Sequence, residues 1–433
     1  MPHVVSKKVF TALLYCDGKD ELPIDETIKE LLDKEIVFEK KREDEALLPW
    51  QYYRYCDNEV TCGLLLEITQ RCNCNCLHCF NATGSEVPKE ELSYEQIIHI
   101  LDEASDCGMF ACTITGGEPL IRKDFLGIVD AIYERGMSIV ELNTNGAFLT
   151  KEILDHFKEI GFSPLLKISF DGTGFHDEMR GKPGMEEAAL KAIRLSLDEG
   201  FDVMVQMNFN RKNESVVMPS LKMLDEMGVN ETRLIRTVET PRWEKLHKDE
   251  TLSWEEYYSR IPDMIREYCR GGRKMVLCIW NLVTVFPEKK KYKEGYLKFG
   301  KGEYKKNACA CASVRSMPSV GANGRLYTCL QASGYFDEKG IVLGDVLKTP
   351  LSELLNKGSF HDMACITLEE RASKFEKCGS CEHYEICGGG CPAMGLLYSG
   401  EYAAPDFTKC VLFEHGIDRK LDELFDEMSY SSL

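Results

Sequence analysis

What constrains this chain most is where its cysteines stand. Cys378, Cys381, Cys387 and Cys391 spell C-x2-C-x5-C-x3-C, with Cys309, Cys311 and Cys329 upstream and Cys410 downstream. Far from these, Cys72, Cys76 and Cys79 form a C-x3-C-x2-C group with Cys74 between them. Twenty cysteines in 433 residues are the strongest anomaly of the composition. A disulfide scaffold of this density is a short secreted chain behind a signal peptide. This chain is long, and its first residues, MPHVVSKKVF, lack the apolar core and small-residue cleavage site of such a signal. Clustered cysteines in a reducing compartment are metal ligands or redox groups, so the expectation is metal in a cytoplasmic protein.

The other bulk properties narrow the partners. With 44% hydrophobic residues the chain can bury one large core and a smaller one. A formal charge of -18 repels phosphate backbones, which argues against nucleic acid. No apolar run is long enough to cross a bilayer, so no membrane association is expected.

Along the chain, residues 1–60 read as a helical segment. Val9, Phe10, Leu13 and Leu14 recur at helical spacing, Asp17-Gly18 turns the chain, and Ile28, Leu31 and Leu32 with Ile36-Val37 mark a second helix. A charged connector, Glu39–Glu45, leads to Trp50, Tyr52, Tyr53 and Tyr55. From residue 61 to 240 strands and helices alternate. Strands are expected at Leu64–Thr69, Ala111–Thr115, Ser138–Asn143, Leu165–Phe170, Asp202–Asn208 and Thr232–Val238. Strands joined by crossover helices form a parallel sheet, and six units give an α/β fold of partial (β/α)6 TIM-barrel type. Residues 241–305 read as a helical bridge containing Trp254–Arg270 and a solvated basic run, Lys289–Lys293. Residues 306–433 are rich in Cys and Gly with little periodicity. A segment of that kind needs cross-links, which metal clusters supply.

The motifs fall at strand C-terminal ends, where such sheets carry their sites. Cys72, Cys76 and Cys79 follow the first strand, and three thiolates on one loop suit three irons of a [4Fe–4S] cluster, leaving the fourth open. Thr115-Gly116-Gly117-Glu118-Pro119 ends the second strand. Its glycines permit close backbone approach, and its carboxylate suits an ammonium group. Asn143-Thr144-Asn145-Gly146 and Ser169-Phe170-Asp171-Gly172 end the third and fourth, and both are also ordinary turn formers. Arg180 offers a fork for a carboxylate, with a surface ion pair as the plainer alternative. Gln206 and Asn208, polar in an apolar run, either line a pocket or cap the strand. A zinc loop and a zinc ribbon are the plainer alternatives for the two cysteine groups.

On these residues the segment Cys72–Cys79 resembles the cluster loop of the radical S-adenosylmethionine (SAM) superfamily, in which the residue before the third cysteine, here His78 with Phe80 after it, lies near the SAM adenine. Gly116, Gly117 and Glu118 resemble its GGEP motif, which binds the SAM amino group. Asn145 and Ser169 resemble its strand-end contacts. Arg180, in His176-Asp177-Glu178-Met179-Arg180-Gly181, resembles the arginine that meets the SAM carboxylate. The C-terminal cysteines, with Gly324 and Cys329 as G-x4-C and Leu343-Gly344-Asp345-Val346 before Pro350-Leu351, resemble the SPASM domain, which holds two auxiliary clusters. Its interleaved order implies one cluster on Cys309 and/or Cys311, Cys329 and Cys391, and another on Cys378, Cys381, Cys387 and Cys410. Three [4Fe–4S] clusters and SAM are therefore implied. Cys74 is read as a bystander. Cys16, Cys56, Cys62, Cys107, Cys112, Cys269, Cys278 and Cys365 are expected to be mostly buried small hydrophobes.

The resemblance implies an oxidoreductase. One electron cleaves SAM to methionine and a 5′-deoxyadenosyl radical, which takes hydrogen from an unactivated carbon. A reductant such as flavodoxin or ferredoxin and a precursor peptide are the implied partners. The two N-terminal helical patterns look like the helical half of a peptide-recognition element, with a simple helical cap as the equal alternative. The expected activity is a ribosomal-peptide maturase forming a carbon–carbon or thioether cross-link. A peptide epimerase is one alternative. A sulfatase-maturating enzyme is another, although the aspartate such enzymes carry after the G-x4-C cysteine is here Leu330. An iron–sulfur electron-transfer protein without SAM chemistry is the alternative of another class, and it leaves GGEP and Arg180 without a purpose. No catalytic base stands out.

Overall fold

The computed structural model describes residues 6–16, 23–34, 36–37, 39, 61–79, 91–300 and 302–433. Its frame is one sheet. The strands are β1 (Gly63–Glu67), β2 (Ala111–Thr115), β3 (Ser138–Thr144), β4 (Leu165–Ser169), β5 (Val203–Phe209), β6 (Glu231–Arg236), β7 (Val276–Ile279), β8 (Val283–Phe286), β9 (Lys291–Glu294), β10 (Ser319–Val320), β11 (Leu326–Tyr327) and β12 (Ser431–Ser432). They lie in the order β11-β10-β1-β2-β3-β4-β5-β6-β7-β8-β9-β12. The run β1 to β6 is parallel throughout, which is the expected partial barrel.

Side-chain alternation along these strands builds two different faces. Leu64, Leu66, Ile114, Leu142, Leu166, Ile168, Val205 and Met207 are fully buried in the core. Between them stand polar residues, Glu67, Thr113, Glu141, Lys167, Gln206 and Arg233, interrupted by Leu65 and Met204. On that second face the Lys167 ammonium meets Glu141 at 2.6 Å. The crossover helices begin where hydroxyls cap them. Ser93 and Gln96 form a capping box at Tyr94–Asp106, and Thr150 caps Lys151–Glu159. Tyr94–Asp106 turns Ile97, Ile100, Leu101 and Ala104 into the core.

The structure departs from expectation in the bridge and in the C-terminal region. Trp254–Arg270 is a helix with a Ser253–Glu256 capping box, but it is followed by strands rather than further helix. Val276, Ile279, Val283, Thr284 and Val285 are β-branched, and β7 extends the parallel sheet before β8 and β9 turn back antiparallel. The basic run lies at the β8–β9 turn and on β9. The C-terminal region, expected to be poor in regular structure, is a succession of short helices, ending in Phe407–Glu414 and Ile417–Met428. Its strands β10 and β11 join the sheet at β1. Helices Lys7–Tyr15 and Glu26–Asp33 match the N-terminal patterns, and Ile36-Val37 is a bend beyond the second. Asp17-Gly18, most of the charged connector, the aromatic run Trp50–Tyr55, Cys56 and Phe80 lie outside the described residues.

Candidate active site

The cysteine loop is held by backbone on two sides. On one, Gly117 N–H donates to Thr69 O at 2.6 Å and Glu118 N–H to Arg71 O at 2.8 Å. On the other, Asn75 and Leu77 N–H donate to Arg180 O and Met179 O. A Cβ on Gly117 would stand 2.4 Å from Arg71 O, and one on Gly116 2.7 Å from Thr69 O. These glycines are required because the β2 end presses on the loop itself, a nearer cause than ligand approach.

Cys72, Cys76 and Cys79 line one cavity of about 370 Å3, together with His78, Gly116, Gly117, Asn145, Ser169 and Arg180. Cys74, read as a bystander, is also on the wall. Hydrogen bonds to Cys72 and Cys76 and burial keep its thiol protonated. The Cys74 thiol bond, opposed by burial and aided by Arg180, lowers Cys76 to about 6. Arg180 donates to Cys76 Sγ at 3.7 Å and pairs with the fully buried Asp171 at 2.8 Å. Burial disfavours the Asp171 carboxylate, but Arg180 and His176 outweigh it and hold its pKa well below the usual range. Asp171 Oδ1 also accepts from Asn208 N–H and its side-chain amide, so Asn208 both borders the cavity and ties β4 to β5. Gln206 donates to Asn143 at 3.2 Å.

Glu118 is fully buried and is not on the cavity wall. Its carboxylate accepts from Thr144 Oγ1 at 2.7 Å, Asn145 N–H at 2.7 Å and Leu120 N–H at 3.1 Å. Those bonds join the ends of β2 and β3. Burial pushes the Glu118 pKa up to about 7 against those bonds. His78 is buried with Nδ1 unpartnered, and burial lowers it to about 4, so its ring is neutral. Sequence reasoning missed Asp171 as the partner of Arg180, and it missed Arg233, Trp280, Leu330 and Gln331 on the wall. Inward parity with Gln206 marks Arg233 in the sequence, and Leu330 and Gln331 directly follow the G-x4-C cysteine Cys329; nothing local marks Trp280.

The C-terminal cysteines gather at two places. Cys378, Cys381, Cys387 and Cys410 line a second cavity, of about 740 Å3. Burial first, then Asp406, and then neighbouring Cys329 and Cys311 push Cys391 up to about 12; burial and Cys311 raise Cys329 to about 11. Those three thiols therefore stand near one another. Cys309 lies on a bridge to Thr367, with Lys298 Nζ donating to its carbonyl at 2.8 Å. None of the described cysteines forms a disulfide. Of the unassigned cysteines, Cys107 and Cys112 are buried, while Cys16, Cys62, Cys269, Cys278 and Cys365 are half-buried. Among the described residues no three ligand side chains close on a single ion. A four-iron cube holds its thiolates further apart than one ion does. Soft thiolates converging on cavities, with unpartnered His78 Nδ1 and Arg180 Nε at the first, fit iron–sulfur clusters and a polar cofactor.

Residues 66–224 match the radical SAM superfamily, so the protein carries the radical SAM domain of that class of enzyme. Residues 309–382 match SPASM, an iron–sulfur cluster-binding domain, which places the protein among the radical SAM enzymes with that C-terminal extension. Relatives include the AdoMet-dependent heme synthase of Methanosarcina barkeri, 26% identical over 339 residues, covering 78% of this chain and 92% of that one. The PqqA peptide cyclase of Granulibacter bethesdensis is 25% identical over 352 residues, covering 80% and 87%. Streptococcus suis SuiB bound to precursor peptide SuiA has the same fold, with a TM-score of 0.60 at 15% identity over 81% of this chain and 76% of that chain. Among the described residues no helix is long and apolar enough to cross a membrane.

Proposed function

We propose that this chain is a maturase of ribosomally made peptides that installs a carbon–carbon or thioether cross-link. Cys72, Cys76 and Cys79 hold the SAM-cleaving [4Fe–4S] cluster. Cys309 and/or Cys311, with Cys329 and Cys391, hold a second, and Cys378, Cys381, Cys387 and Cys410 a third. Bound at the first site, SAM and its cluster supply a 5′-deoxyadenosyl radical for hydrogen abstraction, and the electron comes from a donor such as flavodoxin or ferredoxin. The chain's own residues do the positioning. Gly116 and Gly117 set the loop, Asn145, Ser169 and Arg180 face SAM, Asp171 fixes Arg180, and neutral His78 covers the adenine side. A reducing cytoplasm, where thiolates are available to iron, is the proposed compartment.

The observation that carries this reading is a shared wall. Leu330 and Gln331, directly after Cys329, line the same cavity as Cys72, Cys76 and Cys79. A cross-link removes two hydrogens from the substrate. One leaves as the abstracted atom, and the other leaves as a proton and an electron, which needs an acceptor near the substrate. The Cys329 side of the cavity is where an auxiliary cluster would take it. The peptide class is supported by the relatives named for peptide cyclisation and precursor binding. The heme synthase relative favours a second reading, oxidation of a tetrapyrrole carboxylic acid. Leu330 in place of an aspartate weighs against formylglycine formation.

Co-expression with short peptides encoded beside the gene, followed by mass spectrometry, tests the proposal. Loss of two hydrogens from one peptide is the expected result. Unmodified peptides, combined with turnover of iron-coproporphyrin III by the reconstituted enzyme, would replace the peptide reading with the second one.

A further inference from the structure

The wall of the SAM cavity carries two arginines in different circumstances. Arg180 is matched by Asp171 at 2.8 Å. Among the described residues, Arg233 on β6 reaches one carboxylate, Glu231, at 4.0 Å, too long for a hydrogen bond, has the Cys278 thiol beside it, and keeps its Nε buried without an acceptor. Strand register explains where Arg233 faces. Ser169, Gln206, Arg233 and Cys278 are successive Cα partners across β4, β5, β6 and β7, forming one row on the inward face. Ser169 begins that row on the side where Arg180 stands. Arg233 lies two strands further on, beside β7, whose end leads into Trp280.

We propose that Arg233 is a substrate-binding residue that, with Gln206 beside it, holds a carboxylate of the substrate in the cavity. The assignment rests on the cavity being the enzyme's substrate site and deepens the reading above by naming a substrate group. A guanidinium with an unused Nε–H takes a planar acid in two parallel charge-assisted bonds, a geometry that neither a neutral amide nor an ester reproduces. An acidic side chain of a peptide and a propionate of a tetrapyrrole present the same group.

The test uses the reconstituted holoenzyme with SAM under anaerobic conditions and measures binding of two matched probe pairs. One pair is a tripeptide amide with a central glutamate and its glutamine counterpart. The other is coproporphyrin III and its tetramethyl ester. Wild type is expected to prefer the acid of at least one pair by about tenfold, the scale of a charge-assisted pair. Arg233→Gln should erase that preference and Arg233→Lys should restore part of it, with iron content and SAM affinity unchanged in both. A preference surviving in Arg233→Gln overturns the assignment. So does equal binding of acid and neutral probes in both pairs by wild type, or a parallel loss of SAM affinity, which would put Arg233 on SAM. Preference confined to the tetrapyrrole pair keeps the Arg233 assignment and overturns the peptide reading.

Discussion

At the scale of single residues, buried carboxylates organise the site, and their charges behave oppositely. Asp171 is held ionised by Arg180, so its charge fixes that arginine. Asp171→Asn keeps the shape, removes the counter-charge and frees the guanidinium. SAM affinity should fall by about tenfold, or ~1.4 kcal/mol, in anaerobic calorimetry. Unchanged affinity would mean that Arg180 keeps its place without Asp171. Glu118 is the reverse case, raised from 4.5 to about 7 by burial. A carboxyl whose pKa is higher folded than unfolded takes up a proton on folding. Its contribution is full below about pH 4.5 and is lost as pH rises through about 7. At about 1.4 kcal/mol per unit, the span is on the order of 3 kcal/mol. Glu118→Gln should flatten this stretch of the stability–pH curve in anaerobic urea denaturation. A variant with the wild-type slope would show that Glu118 does not titrate there.

At the scale of elements, period-2 patterns with turn signals made β1 to β6 legible to within one or two residues, because each strand buries one full apolar face. β7 to β9 were not legible. β7 is reached through the long helix Trp254–Arg270, β8 and β9 then follow by short antiparallel turns with no helix between, and only the β-branched content of β7 and β8 distinguishes them. The cysteine loop and the glycines after β2 were visible, but the donors to Glu118 were not, since they come from two strand ends distant in sequence. The C-terminal region hides a similar device. Arg371, fully buried, donates Nε to Ala403 O, Nη1 to Gly388 O and Gly390 O, and Nη2 to Ala404 O, all between 2.6 and 2.9 Å. One side chain thus clamps the loop that carries Cys387 and Cys391 to the turn before Phe407–Glu414. Arg371→Met fills much of the volume but leaves four buried carbonyls without donors. At ~1–3 kcal/mol per unsatisfied group, partly relieved by relaxation, a loss of about 3–5 kcal/mol is expected. Limited proteolysis should show new cleavage after residue 371, and wild-type resistance would show that the clamp is dispensable.

At the scale of the molecule, the two proposed auxiliary sites join segments that secondary structure leaves apart. One brings the helix start at Cys311 and the end of β11 at Cys329 to Cys391. The other brings Cys378, Cys381 and Cys387 to Cys410, inside the helix Phe407–Glu414. Metal sites of this kind contribute folding free energy directly, since the ligands are not assembled in the unfolded chain. Three four-iron clusters amount to about 12 irons per chain. Replacing Cys378 and Cys387 together by serine should remove about four and loosen the C-terminal helices, while SAM cleavage at the first site persists. The upstream pair separates by position. Cys311 acts electrostatically on both Cys329 and Cys391, whereas Cys309 is engaged through its backbone with Lys298 and Thr367 and lies beside Cys365. Cys311→Ser should therefore cost about four irons, because Cys329 and Cys391 alone do not hold a cube, and Cys309→Ser should cost few, because the other three thiolates stay in place. Iron assay with Mössbauer spectroscopy reads both. Equal losses from the two variants would make Cys309 the fourth ligand and close that cluster. Retention in Cys309→Ser alone would leave one iron open, on the side of the cavity wall where Leu330 and Gln331 meet the substrate.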